Sequence, residues 1–190
     1  MVYDFHEISD TRNLINSVFT ISISSLPFNS LIVPTGAPSI TYIFSEEQQT
    51  LIHKDKEFKF DKLIVSGQFD SSYSYLVNVE GYNIGVNLHP STLYKILGSD
   101  ISLLKNKHLH LKDINKELTE KLDIIFIKNK NDIQTFIIEI SNFIESLDIF
   151  IDKDVELIDT AVNYILEKEG MLQVIDLLKK NFIISKIIRN

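Results

Sequence analysis

Gly85-Val-Asn-Leu-His-Pro90-Ser-Thr-Leu-Tyr-Lys-Ile-Leu97 is where the chain changes character. Up to Leu88 apolar residues alternate with small or polar ones, the period-two pattern of a strand with one buried face. From Ser91 onward apolar residues fall three and four apart, the spacing of a helix. Proline cannot donate to a β-ladder, yet it fits the first turn of a helix. His89-Pro90 therefore reads as a structural strand-to-helix junction rather than as part of a ligand set.

Upstream, the runs Val18 to Ile23, Ile40 to Phe44, Lys62 to Val65, Tyr73 to Val79 and Tyr82 to Leu88 are rich in β-branched and aromatic residues. Turn residues separate them, at Ser25 to Asn29, Pro34 to Pro38, Ser66-Gly67 and Glu80-Gly81. Spacings of about 8–12 residues suit an antiparallel sandwich or barrel. A parallel sheet needs helices between its strands, and the gaps are too short for them.

Downstream, Lys112 to Phe126 predicts a helix with Ile114, Leu118, Leu122 and Ile125 on one face. Ile133, Phe136, Ile137, Ile140, Phe143, Ile144 and Leu147 form one wide stripe, expected to be core rather than interface. A third helix is expected from about Asp154 to Glu169, with Ile158, Ala161, Val162 and Ile165 inward and acidic residues at its positive end. Gly170 suits its C-terminal stop, and a short helix from Met171 to about Lys180 follows. Strands first and helices after make an α+β plan: an antiparallel cupin-like β-barrel or sandwich, then a C-terminal helical region.

The composition agrees. With 190 residues, 44% hydrophobic and 24% charged, the chain has ordinary globular proportions. The absence of cysteine excludes disulfide scaffolds, thiol nucleophiles and thiolate metal sites. The net charge is −7, and no region is basic: 1–110 carries 8 basic and 11 acidic residues, 111–150 carries 5 and 8, and 151–190 carries 6 and 7. That is a poor electrostatic footprint for tight nucleic-acid binding. The first residues lack the pattern of a signal peptide and no run is long enough for a membrane helix, so a cytoplasmic location is expected.

No phosphate-binding glycine loop, GxSxG or HExxH is present, and no catalytic residue is assigned. His108 and His110 would share one face if extended, as in the HxH pair that opens a cupin metal site. Here the pair leads into a helix and no later strand supplies a third histidine. Surface histidines ahead of a helix are expected, with no metal and no cofactor; a cupin-type metalloenzyme using His108 and His110 is the alternative. His6 and His53 are isolated. Tyr42, Tyr73, Tyr75 and Tyr82 are aromatic bodies with polar tips, suited either to cross-strand packing or to a small-molecule pocket. Tyr73 and Tyr75 share a face.

The opening segment also resembles a known pattern. In the N-terminal domain of AraC-type bacterial transcription regulators, a Gly-Val-x-Phe-x-Pro strand leads into a helix of the Ala-Leu-Tyr-Tyr-Leu-Phe kind. Gly85, Val86, Pro90, Leu93 and Tyr94 match, with Leu88 where Phe is common. Leu31 to Gly36, the strand Ile40 to Phe44, and Leu109 to Ile114 fit the same order. Ile158 to Gly170 is similar to the helix that opens the AraC-type DNA-binding domain, and Gln173 to Leu178 to the first helix of a helix-turn-helix.

The resemblance implies three parts: a cupin-like sensor domain at 1–110, a helical dimerisation or linker region at 111–150, and the start of a helix-turn-helix DNA-binding domain at 151–190. It places Ser185, Lys186 and Arg189 at the opening of a recognition helix, as DNA-binding residues. The sequence ends at Asn190, inside that helix, so DNA contact is expected only through a C-terminal part not included here. The implied function is ligand sensing or dimerisation in a transcription regulator, not catalysis. A small-molecule effector, a homodimer and no membrane partner go with it.

Overall fold

The computed structural model describes residues 1–8, 12–98, 100–171, 173 and 175–177. Ten strands come first: β1 (Val2–Glu7), β2 (Ile15–Ile23), β3 (Phe28–Ile32), β4 (Ser39–Ser45), β5 (Gln49–His53), β6 (Lys56–Phe60), β7 (Lys62–Ser66), β8 (Tyr73–Val77), β9 (Gly81–Leu88) and β10 (His108–His110). Helix α1 (Thr92–Leu97) lies between the last two strands, and α2 (Lys116–Lys128), α3 (Ile133–Ser146) and α4 (Lys153–Glu167) follow. The strands form two antiparallel sheets, ordered β1-β2-β9-β4-β7-β10 and β3-β8-β5-β6. The α+β plan, with two antiparallel sheets in front and helices behind, is what the chain adopts.

Period two explains how the larger sheet is buried on both sides. Val18, Ile40, Tyr42, Leu63, Val65, Ile84, Val86 and Leu88 point one way, into a core shared with Leu122 and Phe126 of α2 and Phe136, Ile140 and Ile144 of α3. The α3 stripe is therefore core, as its spacing suggests. The alternate residues face the smaller sheet, where Ile23, Ile43 and Ile64 meet Leu51, Phe60, Tyr75 and Val77. Gly85 is required at the join: a Cβ there would lie 2.0 Å from the Phe19 ring, its cross-strand partner.

Each long helix starts on a side-chain cap: Asn115, Asp132 and Asp152 accept from the backbone N–H groups of Leu118, Thr135 and Val155. Helix α2 begins four residues later than expected, after a turn of 3₁₀ helix at Leu111–Asp113, and buries Phe126 fully beside the expected Ile125, which is half-buried against the same core.

Helix α4 corrects the sequence reading. Ile158 and Ile165 are 44% and 37% exposed, while Ala161 and Val162 are half-buried and Val155 is its one buried residue. The face turned to the barrel carries Asp159 and Asn163 instead. Lys95 on α1 is buried, and its ammonium lies 2.6 Å from Asp159. A buried cation requires a counter-charge, and that requirement outweighs the apolar stripe in setting the helix's rotation.

The expected short helix from Met171 to about Lys180 falls largely outside the described residues, and Ser185, Lys186 and Arg189 do so entirely. No helix among the described residues is long and apolar enough to cross a membrane.

Candidate functional site

Between the two sheets lies a cavity of about 310 Å³. Its wall is built by the second set of alternating residues: Phe19 on β2, Thr41 on β4, Ser66 on β7, and Asn83 and Asn87 on β9. The smaller sheet contributes Gln49, Phe60, Tyr73 and Tyr75. Among the described residues no Asp, Glu, Lys or Arg lines it. Aromatic and aliphatic walls with a few placed polar groups are the usual make-up of a small-molecule pocket.

One polar group is closed on itself. Asn83 Nδ2 donates to Gln49 Oε1 (3.0 Å) and to the Tyr75 hydroxyl (2.9 Å), and Gln49 Nε2 donates to Asn83 Oδ1 (3.2 Å). Tyr75 in turn donates to Gln49 Oε1. All three residues are buried. Burial raises the hydroxyls of the three pocket tyrosines, Tyr3, Tyr75 and Tyr73, the last to about 12, so all stay protonated and neutral.

His108 is the second polar element. β10 pairs with β7 along the edge of the larger sheet, and the period-two alternation turns His108 toward the cavity while Leu109 joins the outer core. The imidazole stacks on Phe60 (centroids 5.3 Å apart) and is flanked by Phe69 (5.0 Å) and Tyr73 (5.5 Å). Its Nδ1 lies 2.6 Å from Ser66 Oγ in a hydrogen bond whose direction sets the tautomer. Nε2 is buried and has no hydrogen-bond partner among the described residues. Burial among rings lowers the imidazole from its ordinary 6.5 to about 3, so it is neutral at physiological pH.

The structure thus corrects the expectation of surface histidines for His108. His110 does share its face, but its Nδ1 stands 3.9 Å from Asp61, and it does not line the cavity. Among the described residues no three His, Asp or Glu side chains gather as a metal-ligand set. With one imidazole nitrogen tied to a serine and aromatic rings on either side, the donors present do not fit a mononuclear cupin metal.

Of the tyrosines, Tyr73 and Tyr75 line the cavity, while Tyr42 and Tyr82 pack on the outer face, Tyr42 against Phe126. Sequence reasoning missed Gln49 and Asn83. Their one signal was polarity at positions where neighbouring strand residues are apolar. His53, which carried no signal, is buried, with Nε2 2.9 Å from Ser71 Oγ.

A second polar seam joins the barrel to α4. β9 runs into the junction, where the buried His89 has Nδ1 3.1 Å from Ser91 Oγ and Nε2 3.2 Å from Asn163 Oδ1. Ser91 Oγ donates to Asp159 (2.5 Å), which also faces Lys95. Tyr94 adds a bond to Asp152 at the helix start (3.1 Å). His89-Pro90 is the structural junction it was expected to be.

A family model described as a domain of unknown function, DUF6597, matches residues 9–110. No protein of curated function matches the sequence. Among solved structures, a cupin-2 domain protein from Shewanella frigidimarina is 7% identical (TM-score 0.34), over 45% of this chain and 80% of that one. The EutQ protein of Clostridium difficile is 11% identical (TM-score 0.34), over 46% of this chain and 62% of its own. An HTH_3 family transcriptional regulator from Vibrio cholerae is 13% identical (TM-score 0.32), over 45% of this chain and 50% of its own.

Proposed function

The chain belongs to the DUF6597 family of domains of unknown function, and from that premise we propose that it is the small-molecule-sensing part of an AraC-type transcription regulator. The observation that carries this reading is the uncharged cavity between the sheets, lined by strand β9, which runs directly into the seam holding α4. The segment Gly85 to Leu97 resembles the strand-to-helix junction of AraC-type regulators. The sequence of α4 is similar to the helix that opens their DNA-binding domain.

On this reading the barrel binds and does not catalyse. A ligand against Asn83 or Asn87 presses on the strand whose end carries His89, Ser91 and, one turn into α1, Lys95. Those three hold Asp159 and Asn163, so cavity occupancy biases the seating of α4. A ligand shifts such an equilibrium only by its difference in affinity for the two arrangements. DNA is contacted through helix-turn-helix residues C-terminal to α4, Ser185, Lys186 and Arg189 among them, in a homodimer in the cytoplasm.

The test is selection of bound sequences from a random DNA pool by the complete gene product at physiological salt. Recovery of a shared sequence is expected. A pool with no sequence preference overturns the regulator reading.

A further inference from the structure

The cavity's chemistry narrows what it takes. A charged ligand would surrender its hydration with no counter-charge in the wall, since no ionised side chain lines the site. His108, the titratable group nearest to physiological range in the wall, is held neutral by burial. A polyol fares little better, because its hydroxyls need many partners. Gln49, Asn83 and Tyr75 spend their polar groups on one another, and Ser66 is engaged by His108. Satisfying a sugar would mean dismantling a buried network.

Besides the polar tips of Thr41, Tyr73 and Asn87, the wall offers aromatic surface and one buried nitrogen with no partner among the described residues. The His108 ring stacks on Phe60 and lies tilted against Phe69, and Nδ1 meets Ser66. Nε2 is the ring's remaining polar atom, buried with no partner among the described residues, and a matching group brought to it would recover the free energy that leaving it unpaired costs. A volume of about 310 Å³ is at the small end for ligand pockets, which suits a one- or two-ring molecule.

We propose that the cavity binds an uncharged one- or two-ring aromatic molecule bearing a single hydrogen-bonding group, and that His108 Nε2 pairs with that group. This rests on the reading of the barrel as a sensor and adds the class of molecule sensed and the residue that reads it.

The experiment is a titration of the 190-residue chain, labelled with ¹⁵N at histidine, with phenol, indole, benzoate and glucose in turn. Phenol and indole are expected to shift the His108 Nε2 resonance saturably, and benzoate and glucose to leave it unmoved. His108→Phe, which keeps the ring and removes the nitrogen, should weaken phenol roughly five- to tenfold, the worth of about one hydrogen bond. The shift in the unsubstituted chain stands independently of how that variant folds. Benzoate or glucose binding as tightly as phenol would overturn the ligand class and leave the sensor reading intact. Phenol binding with no movement of His108 would overturn the role of Nε2. Failure of all four probes to bind would overturn the sensor reading itself.

Discussion

The ammonium of Lys95 lies 2.6 Å from the carboxylate of Asp159, with side chains 6% and 24% exposed, and this pair pins α4 to the barrel. Removing one partner strands the other in a poorly solvated place. Asp159→Ala should destabilise the chain by about 2–4 kcal/mol, somewhat less than for a fully buried pair because Asp159 keeps some contact with water. The double variant Lys95→Met, Asp159→Leu should recover most of that loss, since neither charge is then left unpaired. Urea unfolding of the three proteins measures both effects.

Stability should depend on pH through His108. Its folded value is about 3 against an ordinary 6.5, so below pH 6.5 the unfolded chain takes up a proton that the folded chain refuses. Its contribution is fully present above 6.5 and drains away as pH falls toward 3, at up to about 1.4 kcal/mol per pH unit. Between pH 6.5 and 5 most carboxylates are still ionised, so the effect can be isolated there. Denaturation across that window should show a slope that His108→Phe flattens; equal slopes would contradict the burial of the imidazole.

Gly85→Ala tests the close approach of Phe19. The added methyl would lie 2.0 Å from the ring, so the ring must move off β9 and take its neighbours with it. A loss of about 1–3 kcal/mol is expected, the usual cost of overpacking. Thermal unfolding measures it.

Phe126→Ala tests whether α2, α3 and the larger sheet share one core. Phe126 is fully buried, 4.8 Å from the Phe136 ring and 5.8 Å from that of Tyr42, centroid to centroid. A shared core predicts a loss of about 3–5 kcal/mol in a single cooperative transition. Two separate transitions would mean that helices and sheet unfold independently.

The sequence disclosed those parts of the fold whose pattern is local. β2, β4, β7, β8 and β9 alternate strongly enough to be read directly, as does the α3 stripe, and the proline junction marks where strands give way to helices. β6 escaped because Lys56, Glu57 and Lys59 break its alternation, and β5 because its inward positions include the polar Gln49 and His53. β3 follows a turn-rich stretch, and β10 has just three residues. Its pairing comes from β7, some forty positions earlier. The site divides along the same line: Tyr73 and Tyr75 were legible from period two within one strand. His108 was not, because its burial is made by Phe60, Phe69 and Tyr73, rings that only the tertiary fold brings to it. Helix α4 was misjudged for a related reason, since a single buried lysine on another helix chose its inward face.

The claim that the barrel's interior governs α4 is tested most directly by amide hydrogen exchange of residues 153–167, with and without phenol at a concentration that saturates the His108 shift. The account predicts that protection of α4 changes together with that of the β9–α1 junction. Protection of α4 that stays the same in a chain whose cavity is filled would contradict it.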